Sequence, residues 1–172
     1  MNYWIHRISY EARATYPLLD MGFLSIGYLY YATEEFLEKS TNGDREYFDN
    51  EFQTNEGSLP RRRYSLWYFL SEMGKGDWII VPGNGVFSIY EILEKSAILP
   101  SQIELNNLKD WYGNPIIQTD GFLVDSENKD IDIGFLRRVK LIYKDISRSK
   151  FADNSLTKRL KTLWTTSNVN DL

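Results

Sequence analysis

The chain of 172 residues has no cysteine and a single histidine, His6. The first absence excludes disulfides and thiolate metal sites and suits a reducing cytosol. The second argues against a histidine-rich metal centre and a Ser-His-Asp relay. No apolar run approaches the ~20 residues of a membrane span, and no basic-then-apolar leader opens the chain. Phosphate-cradling glycine loops, nucleophile elbows and metal-ligand clusters are missing too. One pattern approaches a nuclease site: Asp125 followed by Glu127-Asn128-Lys129. It sits in a polar stretch, not on a strand beside an apolar partner, so it is a weak basis for metal-assisted cleavage. The expectation is a non-catalytic, cytoplasmic protein with no cofactor, metal or membrane partner.

What is present suits one domain, residues 1–172. Hydrophobic residues make up 42% and aromatics 15%, with 12 Tyr and 5 Trp, enough for one sizeable core. Net charge is −4, yet Gly134 to Leu163 holds nine Lys or Arg against two Asp, a local +7. This asymmetry reads as one basic face on an acidic body, or as a solvated strand and helix paired with the acidic remainder.

Periodicity gives the elements. Tyr3 to Ile8 alternates as a first strand. Glu11 to Asp20 reads as a helix whose start Pro17 can delay to the Tyr16-Pro17 region, with Gly22 as its stop. Phe23 to Tyr31 reads as a second strand, and Thr33 as the cap of a helix opening Glu34-Glu35. The polar segment around 32–63 reads as an inserted helix and loop carrying Arg61-Arg62-Arg63, a solvated run before a helix that could also touch phosphate. Leu66, Phe69, Leu70 and Met73 recur at helical spacing over Tyr64 to Met73, and Gly74 ends that helix.

Lys75-Gly76-Asp77 then forms a charged turn. An apolar strand from Trp78 to Pro82 follows, then a Pro-Gly-Asn-Gly connection and a second strand from Val86 to Ile92. Both faces of that strand are mostly apolar, so both are expected to be covered, as in a small closed or partly closed barrel. Ile116-Ile117 and Phe122-Val124 are short strand candidates. Ile133 to Tyr143 is a long strand whose apolar face Arg137 interrupts. Ser155 to Trp164 closes as a helix with a Leu156, Leu160 and Leu163 seam.

The cassette from Lys75 to Ile92 resembles the middle of PUA-like barrels, the superfamily of EVE, YTH, ASCH and SRA domains. Three further patterns fall in order around it. They are Trp4-Ile5-His6-Arg7, Ser25-Ile26-Gly27-Tyr28, and Arg137-Arg138-Val139-Lys140 followed by Ile146-Ser147-Arg148 and a Leu-rich helix. The order is similar to the N-terminal EVE-like domain of Mrr-type and related modification-dependent restriction proteins. It covers most of the chain except Tyr30 to Arg63 and Leu99 to Ile131. The family's tryptophan after Ile-Gly is Tyr28 here, which keeps a stacking ring and adds a hydroxyl.

The resemblance implies an α+β fold: a PUA-like, EVE/YTH-like curved and mostly antiparallel β-barrel flanked by helices. It also implies a module that flips a modified base from double-stranded DNA into an aromatic pocket, within a restriction or anti-phage system. A nuclease or NTPase would then lie on a partner or a missing domain. Flipping costs a few kcal/mol, and stacking returns about 1–3 kcal/mol per base. Trp4, Tyr28 and Trp78 are candidate walls, with Gly27 giving backbone access and Ser25 and Asn84 polar edges. Arg137, Arg138, Arg148 and Lys150 are candidate phosphate anchors. Each has an ordinary reading beside it: Trp4 and Trp78 as core aromatics, Asn84 as a turn former, His6 as a satisfied sheet histidine. Two other functions suit the same features, an RNA-binding EVE- or ASCH-like domain and a protein-interaction domain using its aromatic surplus.

Overall fold

The computed structural model describes residues 1–8, 10–161 and 165–170. In chain order the elements are β1 (Tyr3–His6), α1 (Ala12–Asp20), β2 (Phe23–Ile26), α2 (Glu34–Thr41), α3 (Arg45–Glu56) and α4 (Arg63–Trp67). Then come β3 (Trp78–Pro82), β4 (Val86–Ile92), β5 (Ile117–Thr119), β6 (Phe122–Val124), β7 (Phe135–Ser147), α5 (Arg148–Phe151), α6 (Asn154–Arg159) and β8 (Thr166–Asn168). Six strands form one sheet in the order β2-β7-β4-β3-β1-β8, while β5 and β6 make a separate hairpin. All neighbours in the large sheet are antiparallel except β1 and β3, which run parallel.

The sheet curls into a half-barrel. Three strands separate β1 from β2 in the hydrogen-bonded order. Even so, His6 Nε2 on β1 lies 2.9 Å from the Ser25 carbonyl on β2. A flat sheet cannot bring those strands together, since each neighbour adds about 4.8 Å. A mostly antiparallel, curved sheet flanked by helices is therefore what the chain forms.

Both sheet faces are covered, as the two-sided apolar pattern of β3 and β4 requires. Trp4, Ile79, Val81, Tyr90 and Ile92 join the main core, together with residues from α2, α3 and α4. Ile5, Ile80 and Phe87 turn to the opposite face, where Leu160, Leu156 and Val169 cover them. A third cluster packs Ala14 and Leu18 of α1 and Leu123 of β6 against Phe23 and Leu136. Among the described residues no helix is long and apolar enough to cross a membrane.

Several elements differ from expectation, each for a local reason. β2 ends at Ile26 because Tyr28 takes a left-handed backbone, φ 66°, and a 3-10 turn follows over Leu29–Tyr31. α1 starts at Ala12 despite Pro17. Proline has no N–H for the Arg13 carbonyl, and that carbonyl accepts from Trp111 N at 3.1 Å instead. The helix after Arg62 widens over Tyr68–Glu72 into a π-helical turn, with Met73 N bonded to Tyr68 O.

Segment 32–63 is not peripheral. Thr33 caps α2 by accepting from Phe36 N at 3.2 Å, and Asp44 caps α3 by accepting from Tyr47 N at 3.0 Å. The two helices deliver Phe36, Phe48 and Phe52 to the main core, where Phe36 meets Phe135 and Phe48 meets Trp67 edge-on. Near the C-terminus, α6 covers the first part of the expected Ser155 to Trp164 helix. Thr162, Leu163 and Trp164 lie outside the described residues. Strand β8, which pairs with β1, was not expected from its polar Thr-Ser-Asn sequence.

Candidate functional site

A cavity of about 530 Å³ lies at the ends of β1 and β2, beside the contact of His6 with Ser25. Its walls come from the ends of those strands, the 3-10 turn, the C-terminus of α3 and the residues before β7. Ser25, Gly27 and Tyr28 meet there, joined by Tyr30, Tyr31 and Asp132. Tyr28 is the strained member, since a bulky residue with positive φ costs about 1–2 kcal/mol and such strain collects at functional sites. Its hydroxyl donates to the Arg62 carbonyl at 2.7 Å, and its ring meets Phe52 edge-on. Burial pushes the Tyr28 phenol up to about 12, against an opposing pull from Arg62, so the hydroxyl keeps its proton.

Two glycines allow this turn. A Cβ on Gly27 would stand 2.7 Å from Asp132 Oδ2. A Cβ on Gly134 would stand 2.8 Å from the carbonyl oxygens of both Gly27 and Tyr28. Gly27 therefore admits a neighbouring carboxylate rather than opening the backbone to solvent. Asp132 fixes the turn by accepting from Leu29 N at 2.8 Å. At the mouth, Glu56 bonds Tyr31 Oη at 3.0 Å and pairs with Arg62 at 2.5 Å.

The cavity floor is polar. His6 is fully enclosed, with Nδ1 at 2.9 Å from Thr166 Oγ1 and Nε2 at 2.9 Å from Ser25 O. A carbonyl only accepts, so Nε2 carries the proton and Nδ1 accepts from the threonine. Burial pulls the imidazole down to about 4, despite the Ser25 carbonyl's opposing effect, so His6 is neutral at pH 7. This is the satisfied sheet histidine of the sequence reading, with the added role of tying the half-barrel shut. Ser25 Oγ is buried and has no hydrogen-bond partner among the described residues. An unmatched buried hydroxyl costs about 1–3 kcal/mol, which a ligand group in the cavity would offset.

The other expected site residues lie elsewhere. Trp4 is 3% exposed in the main core, and its indole N–H donates to Asp77 Oδ2 at 3.0 Å. It is not a pocket wall, because the Lys-Gly-Asp turn consumes its polar edge. Burial would raise the Asp77 carboxyl, but donors from Trp4, Asn2 and Gly74 outweigh it and hold the group below its usual value. Trp78 packs edge-on against Tyr3 and does not line this cavity. Asn84 lines a second cavity of about 460 Å³ on another part of the molecule.

Among the expected phosphate anchors, Arg137 is completely buried. Its guanidinium donates to the carbonyls of Phe69, Leu70 and Lys95 at 2.6, 3.2 and 3.1 Å. The π-helical turn leaves the first two carbonyls open, and a cation suits the negative end of a helix. Burial pulls Arg137 down to about 10, which leaves it charged at neutral pH. It serves the core and touches no phosphate. Arg148 clasps the β3–β4 hairpin, donating to Val86 O at 3.0 Å and Gly83 O at 2.6 Å.

Arg138 is exposed, lies over the Phe23 ring and pairs with Glu94 at 3.3 Å. It opposes Phe23, three positions from the Ile26–Phe135 pair at the cavity, or about 10 Å along the strand. Lys150 is exposed on α5. The basic stretch is thus spread over the sheet rather than gathered at the cavity. Two cations line the cavity, Arg7 and Arg62; Arg62 comes from the arginine run whose third member, Arg63, is buried against Asp49 at 2.8 Å. The sequence offered phosphate contact only as the second reading of the Arg61-Arg62-Arg63 run, and the pairing of Arg62 with Glu56 joins residues of different elements.

The Asp125 pattern is a turn. Its carboxylate accepts from Glu127 N and Lys129 N at 2.9 and 3.0 Å and from Arg13 at 2.9 Å, while Lys129 pairs with Glu127. Among the described residues no group of three His, Asp or Glu side chains stands ready to hold a metal ion. No family model matches the chain, and neither a curated protein nor a solved structure matches it significantly.

Proposed function

We propose that the chain is a non-catalytic nucleic-acid-binding module that takes one flipped, modified base of duplex DNA into the cavity between β1 and β2. The observation that carries this reading is the meeting of Ser25, Gly27 and Tyr28 at that opening, with Tyr28 held in a strained conformation. Tyr28, Tyr30 and Tyr31 line the cavity and offer aromatic surface; stacking on such rings contributes about 1–3 kcal/mol per base. Ser25 lines the same cavity, and a base edge would meet its unmatched hydroxyl once the side chain turns outward. Asp132 and Glu56 accept from exocyclic amino groups, and Arg62 offers charge for a flanking phosphate.

The test is titration of the protein against matched duplexes carrying unmodified, methylated, hydroxymethylated or glucosylated bases, with single-stranded RNA as the comparison. A preference for one modified duplex that disappears in Tyr28→Ala is the expected result. Tighter binding to RNA with no preference among the duplexes would replace the DNA reading. No binding to any nucleic acid would end both.

A further inference from the structure

The second cavity is built from aromatic rings and carboxylates, and it lies apart from the opening between β1 and β2. Tyr16, Tyr90 and Trp111 line it, with Asp20, Asp145 and Lys144. Trp111 is 57% exposed, yet it is held firmly. Its ring stacks on Tyr16 with centroids 5.5 Å apart and planes 24° from parallel. The Trp111 backbone N–H donates to the Arg13 carbonyl at 3.1 Å, the carbonyl that Pro17 leaves without a helical partner. The flanking turn is fixed by Asp110, which accepts from Tyr112 N and Asn114 N, both at 2.9 Å. A ring fixed in place before a ligand arrives loses little freedom on binding one.

The carboxylates are placed with equal care. Phe87 opposes Ile146 and Ile89 opposes Tyr143, so Ser88 faces both Lys144 and Asp145. That is a β-bulge, a device that re-aims a side chain and occurs near functional sites. Asp145 carries the irregularity with φ 53° and donates its N–H to Ser88 Oγ at 3.1 Å. Glycine fits such a backbone better than aspartate, so the carboxylate is kept at a conformational cost. Asp20 reaches the same cavity from the last residue of α1. Burial pushes the Tyr90 phenol up to about 12, and Asp20 and Asp145 add to that push, so both negative fields converge on the ring.

We infer that this cavity binds an alkylated ammonium group. Three aromatic side chains and two carboxylates on one lining suit such a cation, through ring attraction and opposite charge. Among the described lining residues Asp20 and Asp145 stand with one cation, Lys144, while Arg148 is engaged behind the lining by the carbonyls of Gly83 and Val86. The volume of about 460 Å³ exceeds the ammonium head and leaves room for the chain that bears it. The group can belong to a free small molecule or to a methylated lysine side chain. This site is independent of the nucleic-acid reading, and either can fail without the other.

The test follows the Trp111 indole resonance, assigned with Trp111→Phe, during addition of tetramethylammonium chloride. A saturable shift is expected, with none from potassium chloride at equal ionic strength or from neutral neopentyl alcohol of the same shape. Asp20→Asn with Asp145→Asn should weaken binding roughly tenfold. Asp145→Gly should weaken it as well while raising the urea midpoint, because it relieves the bulge. Choline and an N-acetylated trimethyllysine amide are then compared, and the tighter of the two identifies the source of the group. Equal binding of neopentyl alcohol, an unmoved Trp111 resonance, or undiminished affinity in the double variant would overturn the inference.

Discussion

Two buried side chains, His6 and Arg137, carry most of the electrostatic argument at the scale of single residues. Burial lowers the His6 imidazole from its ordinary 6.5 to about 4. The unfolded chain therefore binds the proton first, and stability is present above pH 6.5 and lost as pH falls towards 4. The loss should approach about 3 kcal/mol, at roughly 1.4 kcal/mol per unit. Urea midpoints across that window should slope in the wild type and flatten in His6→Gln. Below it, depressed carboxylates such as Asp77 and Asp49 add their own loss as acid protonates them. Arg137→Met should cost about 3 kcal/mol, because three carbonyls lose a charged donor. Its folded form should bind nucleic acid as the wild type does, and a parallel loss of affinity would return Arg137 to the site. The break that Arg137 makes in an apolar strand face was visible in the sequence. What it meant was not, because the carbonyls it satisfies lie 68 and 67 residues away.

At the scale of elements, the cavity depends on close backbone approach. Gly134 donates to Ile26 O at 3.0 Å and lies against the carbonyls of Gly27 and Tyr28. Gly134→Ala should therefore displace the 3-10 turn and lower stability by about 1–3 kcal/mol, as overpacking against fixed groups does. Thermal melting gives the first readout. Base-dependent affinity gives the second and should fall with it. Gly74→Ala, where no atom lies within reach of a new Cβ and the backbone is not left-handed, serves as the control for a glycine change alone. Strand and helix positions were legible wherever period and punctuation agreed, as in β3, β4 and the Thr33 cap. The end of β2 was not. Its Leu-Ser-Ile-Gly-Tyr run continues the alternation, and nothing local announces that Tyr28 turns left-handed. The polar strand β8 escaped because it is held by pairing with β1 and by His6, not by an apolar face.

For the whole molecule, the resemblance of ordered motifs to PUA-like barrels anticipated a curled, mostly antiparallel sheet with helices on its faces. Of the expected site residues, Ser25, Gly27 and Tyr28 line one cavity, while the Asp77 turn draws Trp4 into the core. Local charge counting along the chain left two readings open, and eight of the nine basic residues between Gly134 and Leu163 are divided among one long strand and two short helices.

Charge at the molecular scale therefore rests on the cavity mouth, where Arg62 stands beside the exposed Arg61. On the proposed function, binding to any duplex should weaken with rising salt, because each phosphate contact releases counterions. Arg61→Ala with Arg62→Ala should weaken modified and unmodified duplexes alike and make the salt slope shallower by about one to two contacts. It also leaves Glu56 unpaired at the mouth, which deepens the loss. Arg138→Ala should do less, since Arg138 lies beyond the cavity and already faces Glu94. Tyr28→Ala should show the opposite pattern, keeping the salt slope and losing the preference between duplexes. Fluorescence anisotropy at several salt concentrations separates these quantities. If the double arginine variant keeps wild-type affinity at low salt while Arg138→Ala loses it, the nucleic acid approaches along β7 and the mouth assignment falls.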